Sequence, residues 1–249
     1  MSDPFRLDNR VAVLTGAGKG IGRGIAHALA RAGATVVVSS RTRADLDSLV
    51  AEITEAKGTA IPFVADVTNR DQLEALAAEA AGHGDIEIWV NNAGGLPDAT
   101  PRYLTRTDEA HWDAQMNLNL KAVFVGCQVA AAHMERGSIV NISSKAALGA
   151  SIKNGPYAAS KAAVNNLTAT FSIELAPNIR VNAIAPGPIP TPNFNESTNF
   201  PEDQPLEQIL RVPLGRLGSP DDIGNAVVFM ASEASSWVTG QCLYVTGGL

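Results

Sequence analysis

Tyr157 and Lys161 stand four positions apart in Tyr157-Ala158-Ala159-Ser160-Lys161. On a helix that spacing puts both side chains on one face. A phenol beside an ammonium is an acid/base pair. The positive charge favours tyrosinate and is expected to pull the phenol below its usual pKa of about 10, towards a range useful for moving protons. Ser144 lies 13 residues earlier, closing the run Ile139-Val140-Asn141-Ile142-Ser143-Ser144. A hydroxyl at the carboxyl end of a parallel strand sits where such sheets bind ligands. Each element alone is common. Together they describe a site that holds an oxygen and exchanges a proton with it.

A second constellation surrounds a glycine turn. An apolar run ending at Leu14 leads into Thr15-Gly16-Ala17-Gly18-Lys19-Gly20-Ile21-Gly22. Glycine lets the backbone turn tightly and approach a pyrophosphate, which then faces the amide-rich start of the next helix. The spacing is T-G-x-x-x-G-x-G on Gly16, Gly20 and Gly22. The pattern G-x-G-x-x-G fails, because Gly16 and Gly18 would need a glycine where Ile21 stands. In isolation an ordinary strand-to-helix turn reads the same. Its place at the first such junction of an alternating chain favours a dinucleotide. After the second apolar run comes Ser39-Ser40-Arg41-Thr42-Arg43, with no carboxylate before Asp45. An acidic residue there would bind the ribose 2′-hydroxyl of NAD. Arg41 instead offers a forked guanidinium, and Lys19 a second positive charge, to a 2′-phosphate. Read singly, each is a solvated surface charge. The pair leads to NADP(H) being favoured over NAD(H).

The elements that must position these residues alternate along the chain. β-branched or apolar runs occupy 11–14, 35–38, 60–64, 86–90, 138–142, 180–184 and 241–245. Ala-rich amphipathic stretches fill 20–32, 43–57, 69–82, 111–133, 157–175 and 219–231. This is the α/β pattern of a doubly wound parallel sheet with helices on both faces, expected as one dinucleotide-binding and catalytic domain over 1–249. A proline-rich stretch from Pro186 onward breaks the rhythm, and 190–212 is expected to cover the substrate, the other reading being a plain surface loop. Of the 249 residues, 45% are hydrophobic and 18% charged, which excludes wholesale disorder. Lys and Arg total 19 against 25 Asp and Glu, for a formal net charge of -6, which argues against a nucleic-acid partner. No apolar stretch is long enough to span a membrane, and the charged start holds no apolar signal region, so a soluble, cytoplasmic protein is expected. His27, His83, His111 and His133 form no closely spaced pair, and Cys127 and Cys242 lie 115 positions apart, so no metal site is expected. Asn141 and Asn182 read as capping or sheet-end residues.

Taken together, these motifs resemble the short-chain dehydrogenase/reductase family over essentially the whole chain. The resemblance rests on Thr15–Gly22, Asp66-Val67, Asn91-Asn92-Ala93-Gly94, Asn119-Leu120-Lys121, Ser144, Tyr157 with Lys161, Pro186-Gly187 with Thr191, Pro213-Leu214-Gly215-Arg216 and Thr239-Gly240-Gln241. It implies a Rossmann-like fold and an oxidoreductase that interconverts a secondary alcohol and a ketone. Tyr157 would be the general acid/base, and Ser144 would hydrogen-bond the substrate oxygen. Lys161 would hold the nicotinamide ribose and tune Tyr157, while Asn119 would position a water in the proton path. Asp66 and Val67 would meet the adenine, Asn92 the adenosine-side ribose, and Ile189 and Thr191 the nicotinamide carboxamide and the phosphates. Homotetramers are common in the family. Within it the chain is most similar in look to 7α-hydroxysteroid dehydrogenase-like and 3-oxoacyl-carrier-protein reductase-like members, with sugar or polyol dehydrogenases as a further reading. The tail departs from the pattern, with Thr246 where relatives often carry Asp. A cofactor-sensing protein without catalysis is the alternative outside enzymes. The intact Asn119, Ser144, Tyr157 and Lys161 set counts against it.

Overall fold

Short β-branched runs form strands in the computed structural model, which describes residues 3–191 and 209–249. They are β1 (Val11–Thr15), β2 (Thr35–Ser40), β3 (Thr59–Val64), β4 (Ile86–Asn91), β5 (Gly137–Ile142), β6 (Ile179–Pro186) and β7 (Cys242–Val245). The described residues pair them, all in parallel, into a seven-stranded sheet of order β3-β2-β1-β4-β5-β6-β7. The expected doubly wound, Rossmann-like sheet is present. Its order reverses between β1 and β4, so the crevice at the carboxyl ends of those strands is where such a sheet takes a ligand.

Side chains alternate along each strand, so the sheet serves two cores. Ala12, Leu14, Val36 and Val38 pack under α1 (Gly20–Arg31), α2 (Arg43–Glu55) and α7 (Pro220–Ala231). Val11, Val13, Val37 and Trp89 pack under α3 (Arg70–Ala81), α5 (Ala122–His133) and α6 (Gly155–Glu174). Burial of both faces explains why the strands read as continuous apolar runs. Ser219 and Asp222 close α7 with a reciprocal capping box, and the Asn69 side chain caps α3. Among the described residues no helix is long and apolar enough to cross a membrane. Residues 192–208, most of the expected cover over 190–212, lie outside the described residues.

Two expectations need correction. The helix read as continuous over 111–133 is α4 (Glu109–Met116), a π-turn at Asn117–Lys121, and then α5. α4 and α5 are only weakly amphipathic, so the one-residue phase shift of that turn leaves no mark in the hydrophobic pattern. Asn141 is no cap: it is fully buried in a hydrogen-bonded chain under the site. Trp89 Nε1 donates to Asn91 Oδ1 (2.9 Å), Asn91 Nδ2 to Asn141 Oδ1 (2.9 Å), and Asn141 Nδ2 to Thr168 Oγ1 (3.0 Å). This chain ties β4 and β5 to α6. Asn182, by contrast, bonds Val238 O and Gln241 N at the sheet end, as expected.

Gly126 on α5 lets that helix close on the chain, because a Cβ there would lie 2.1 Å from Asn91 Oδ1. Relieving the clash would displace a buried amide from its partners. Gly126→Ala is therefore expected to lower stability by about 1–3 kcal/mol in urea unfolding, against the usual stabilising effect of alanine in a helix.

Candidate active site

The glycine turn leaves β1 through Gly16 at φ 66° and enters α1 through Gly20 at φ 55°. Both lie in the left-handed region that glycine adopts freely. Gly22 must also be glycine, since a Cβ there would lie 2.1 Å from Gly16 O. Asn92 locks the turn from β4: its Nδ2 donates to Thr15 O and Gly16 O, both at 2.9 Å. Thr15 Oγ1 returns the clasp, accepting from Asn92 N and Ala93 N (3.1 Å each) and donating to Val90 O (3.2 Å). Thr191, after β6, lies against Gly20, its Cγ2 3.0 Å from where a Cβ would stand. Ile189 is buried in the core next to Gly218.

The start of α1 has no side-chain cap and no acidic residue in its first turn. Its N–H groups are an open anion site over a cradle that side chains would fill, and that chemistry fits a pyrophosphate. At the adenosine end, Ala17 N donates to Ser39 O (2.9 Å), while the buried Ser39 Oγ has no partner. Arg41 is exposed on the rim, and Asp66 opposite it accepts from Thr68 N (2.9 Å) and Thr68 Oγ1 (2.7 Å). Those two bonds hold the Asp66 carboxyl below the usual range, and the Arg41 charge adds to them. Val67 follows, packed on the lower core. Lys19 Nζ lies 3.5 Å from Asp45 Oδ2, a pairing the sequence reading missed.

The remaining residues converge after β4 and β5. Ser144 caps a short 3-10 turn, Lys145–Leu148, by accepting from Ala146 N (3.1 Å). Its hydroxyl also favours the ionised form of the half-buried Tyr157 phenol. Lys161 is only 3% exposed, and its Nζ donates to Ile142 O (2.8 Å) at the end of β5. The same Nζ lies 5.8 Å from the Tyr157 ring centroid. Asn119, fully buried, bonds Gly95 N and Gly95 O through its carboxamide (2.8 Å each). Gln115, four residues earlier, holds the same Nδ2 at 2.9 Å, a helical spacing that was legible in the sequence. Gly94 separates Asn119 from Lys161: a Cβ there would stand 2.9 Å from Asn119 Oδ1 and 3.2 Å from Lys161 Nζ. The fold thus gathers Asn119, Ser144, Tyr157 and Lys161 at one end of the sheet, next to the turn.

The electrostatics correct one expectation. Burial pushes the Tyr157 phenol up, and only the Ser144 hydroxyl opposes it. Burial also pulls the Lys161 ammonium down, to about 8. Desolvation outweighs the attraction read from the spacing, because the ammonium is turned onto Ile142 O. A lysine whose pKa falls on folding destabilises the fold while charged in both states. That penalty is full below about pH 8 and fades as pH rises towards the unfolded value of about 10.5. Lys161→Met should accordingly remove a rise in unfolding free energy between about pH 8 and 10.5. The rise is about 3 kcal/mol, read by denaturant titration across that range.

The family model described as enoyl-(acyl carrier protein) reductase matches residues 16–249. The chain is 41% identical to the 3-oxoacyl-[acyl-carrier-protein] reductase FabG of Thermotoga maritima, over 98% of this chain and 99% of that protein. It is 38% identical to the 2-dehydro-3-deoxy-D-gluconate 5-dehydrogenase of Bacillus subtilis, over 100% and 97%. A solved 7α-hydroxysteroid dehydrogenase, complexed with NADH and 7-oxo glycochenodeoxycholic acid, superposes with a TM-score of 0.92 at 40% identity, covering 100% of this chain and 98% of that one. With a model matched over nearly its whole length and relatives of this identity, the chain belongs to the short-chain dehydrogenase/reductase family, oxidoreductases that interconvert alcohols and ketones.

Proposed function

We propose that the chain is an NADP(H)-favouring oxidoreductase for an apolar secondary alcohol and its ketone, with Tyr157 as the acid/base. The observation that carries this reading is the half-buried Tyr157 phenol beside a buried Lys161, whose Nζ lies 5.8 Å from the Tyr157 ring centroid. When bound, the nicotinamide supplies or accepts the hydride. Everything else falls to the chain. Ser144 holds the substrate oxygen by donating its hydroxyl proton, and Tyr157 gives the phenolic proton to that oxygen in reduction or takes it back in oxidation. The raised phenol stays protonated at neutral pH, which suits donation to a ketone. Lys161 holds the nicotinamide ribose, and Asn119, across Gly94, positions a water that relays the proton outward.

The same reading assigns the dinucleotide. Gly16, Gly18, Gly20, Ile21 and Gly22 cradle the pyrophosphate, and Asn92 holds the cradle against the adenosine-side ribose. Asp66 and Val67 border the adenine, while Ile189 and Thr191 border the nicotinamide side. Arg41 and Lys19 take the 2′-phosphate. Leu104, Ala147, Ile152, Gly155 and the α6 alanines Ala158, Ala159 and Ala162 line an apolar recess of about 330 Å³ on a face of α6 other than that of Tyr157 and Lys161. The likeness to 7α-hydroxysteroid dehydrogenase favours a hydroxysteroid-like or other hydrophobic substrate, and a 3-oxoacyl thioester is the second reading, on the likeness to FabG. Exposed Phe124 on α5 and Ile173 on α6 present apolar area for assembly as a homotetramer through these helices. The free thiols of Cys127 and Cys242 fit a reducing, cytoplasmic setting.

Tyr157→Phe keeps the ring and removes the proton. Turnover with a ketone panel, followed at the NADPH absorbance band, should fall by about 10²-fold or more while NADPH affinity stays within a few-fold. Near-normal turnover would sink the assignment. Arg41→Asp exchanges attraction for repulsion at the 2′-phosphate. The ratio of kcat/KM for NADP(H) over NAD(H) should drop about 10- to 100-fold, and an unchanged ratio would leave Arg41 a solvated charge.

A further inference from the structure

We infer that Asp45 sets how strongly this site prefers a 2′-phosphate, as the resident counter-ion of Lys19. The inference rests on the reading of Lys19 and Arg41 as 2′-phosphate ligands. Lys19 lies 68% exposed, and its Nζ is 3.5 Å from Asp45 Oδ2, whose side chain is 27% exposed. Asp45 is held to the turn: its Cβ lies 3.0 Å from where a Cβ on Gly18 would stand. Arg23 Nη1 braces both segments, donating to Gly18 O (3.2 Å) and Asp45 O (3.3 Å). The carboxylate is therefore carried by the same rigid corner that carries the lysine.

The other cations of this rim are also compensated. Arg23 Nε bonds Glu52 Oε2 at 3.1 Å, and Arg43 Nε bonds Asp47 Oδ1 at 2.8 Å. Arg41 faces Asp66. Among the described residues of this corner, Lys19, Arg23, Arg41 and Arg43 each have an acidic neighbour. A phosphate arriving at Lys19 must displace Asp45 and then remain close to its negative charge. A ribose 2′-hydroxyl meets neither obstacle. An exposed ion pair opposes such displacement only weakly, by a factor of a few, and the residual repulsion adds a similar factor. Asp45 thus weakens phosphate-bearing ligands selectively and narrows the margin between the two cofactors. It is a specificity-determining residue.

Calorimetry on the full chain at low salt tests this with two adenosine fragments, 2′,5′-ADP and 5′-AMP. Asp45→Asn should tighten 2′,5′-ADP about fivefold while 5′-AMP stays within twofold. In a Lys19→Ala background only the residual repulsion is left, so the same substitution should tighten 2′,5′-ADP only about twofold. The thermal midpoint of each variant checks that α2 is intact, since Asp45 also sits in its first turn. Equal tightening of both fragments, or a full fivefold gain that survives without Lys19, overturns the counter-ion role. So does an unchanged 2′,5′-ADP affinity in Asp45→Asn while Arg41→Ala selectively weakens that ligand, and in that case the phosphate site itself stands. If Arg41→Ala also fails to discriminate between the fragments, the 2′-phosphate reading falls and this inference falls with it.

Discussion

The clasp between Thr15 and Asn92 is the constraint from which the rest of the site follows. The parallel sheet reverses its winding between β1 and β4, so the loops after these strands part and open a crevice. Left alone, their backbone groups would have no ladder to join. Thr15 Oγ1 collects the Asn92 and Ala93 N–H groups, and Asn92 Nδ2 collects the Thr15 and Gly16 carbonyls. Two short polar side chains so hold the crevice at fixed width. Gly16 adopts the left-handed conformation freely, and the clasp selects it.

A second polar system carries the other half of the site. The buried chain from Trp89 through Asn91 and Asn141 to Thr168 fixes α6 against β4 and β5. Lys161 stands on α6 two turns before Thr168, and its ammonium reaches the last carbonyl of β5. Buried polar groups of this kind are valuable only when all their members are satisfied, because the low dielectric that strengthens each bond also penalises each loss. The position of Lys161 is thus set from below by hydrogen bonds, not by the phenol it stands beside.

This arrangement changes the meaning of the Tyr157/Lys161 spacing. The four-residue interval does put both groups on one helix face, but it does not pair them. Desolvation acts on both, raising the phenol and lowering the ammonium, so burial disfavours both charged forms. Ser144 is the group that opposes the rise of the phenol, and its own place is fixed by the turn after β5. The rim of the crevice follows the opposite logic. There the charges remain in solvent, and each cation meets a carboxylate within its own corner of the surface.

The sequence alone determined the sheet, because a strand buried on both faces must be apolar throughout and short, and each of the strands lies within two residues of its predicted bounds. It also determined the residue types of the site, since Gly16, Gly20 and Gly22 mark backbone that tolerates no side chain, and the family pattern runs through Asn119, Ser144, Tyr157 and Lys161. Tertiary structure decided what no local pattern encodes. The π-turn at Asn117–Lys121 carries Asn119, whose carboxamide bonds Gly95 N and Gly95 O. Whether Asn141 caps a strand or threads the core depends on what β4 and α6 bring to it. The sign of the Tyr157 shift depends on how much water the packed crevice excludes. Pairing of Lys19 with Asp45 depends on how α2 lies against the glycine turn. Spacing along the chain fixes which groups share a face, whereas burial and charge are sums over neighbours that only the folded chain assembles.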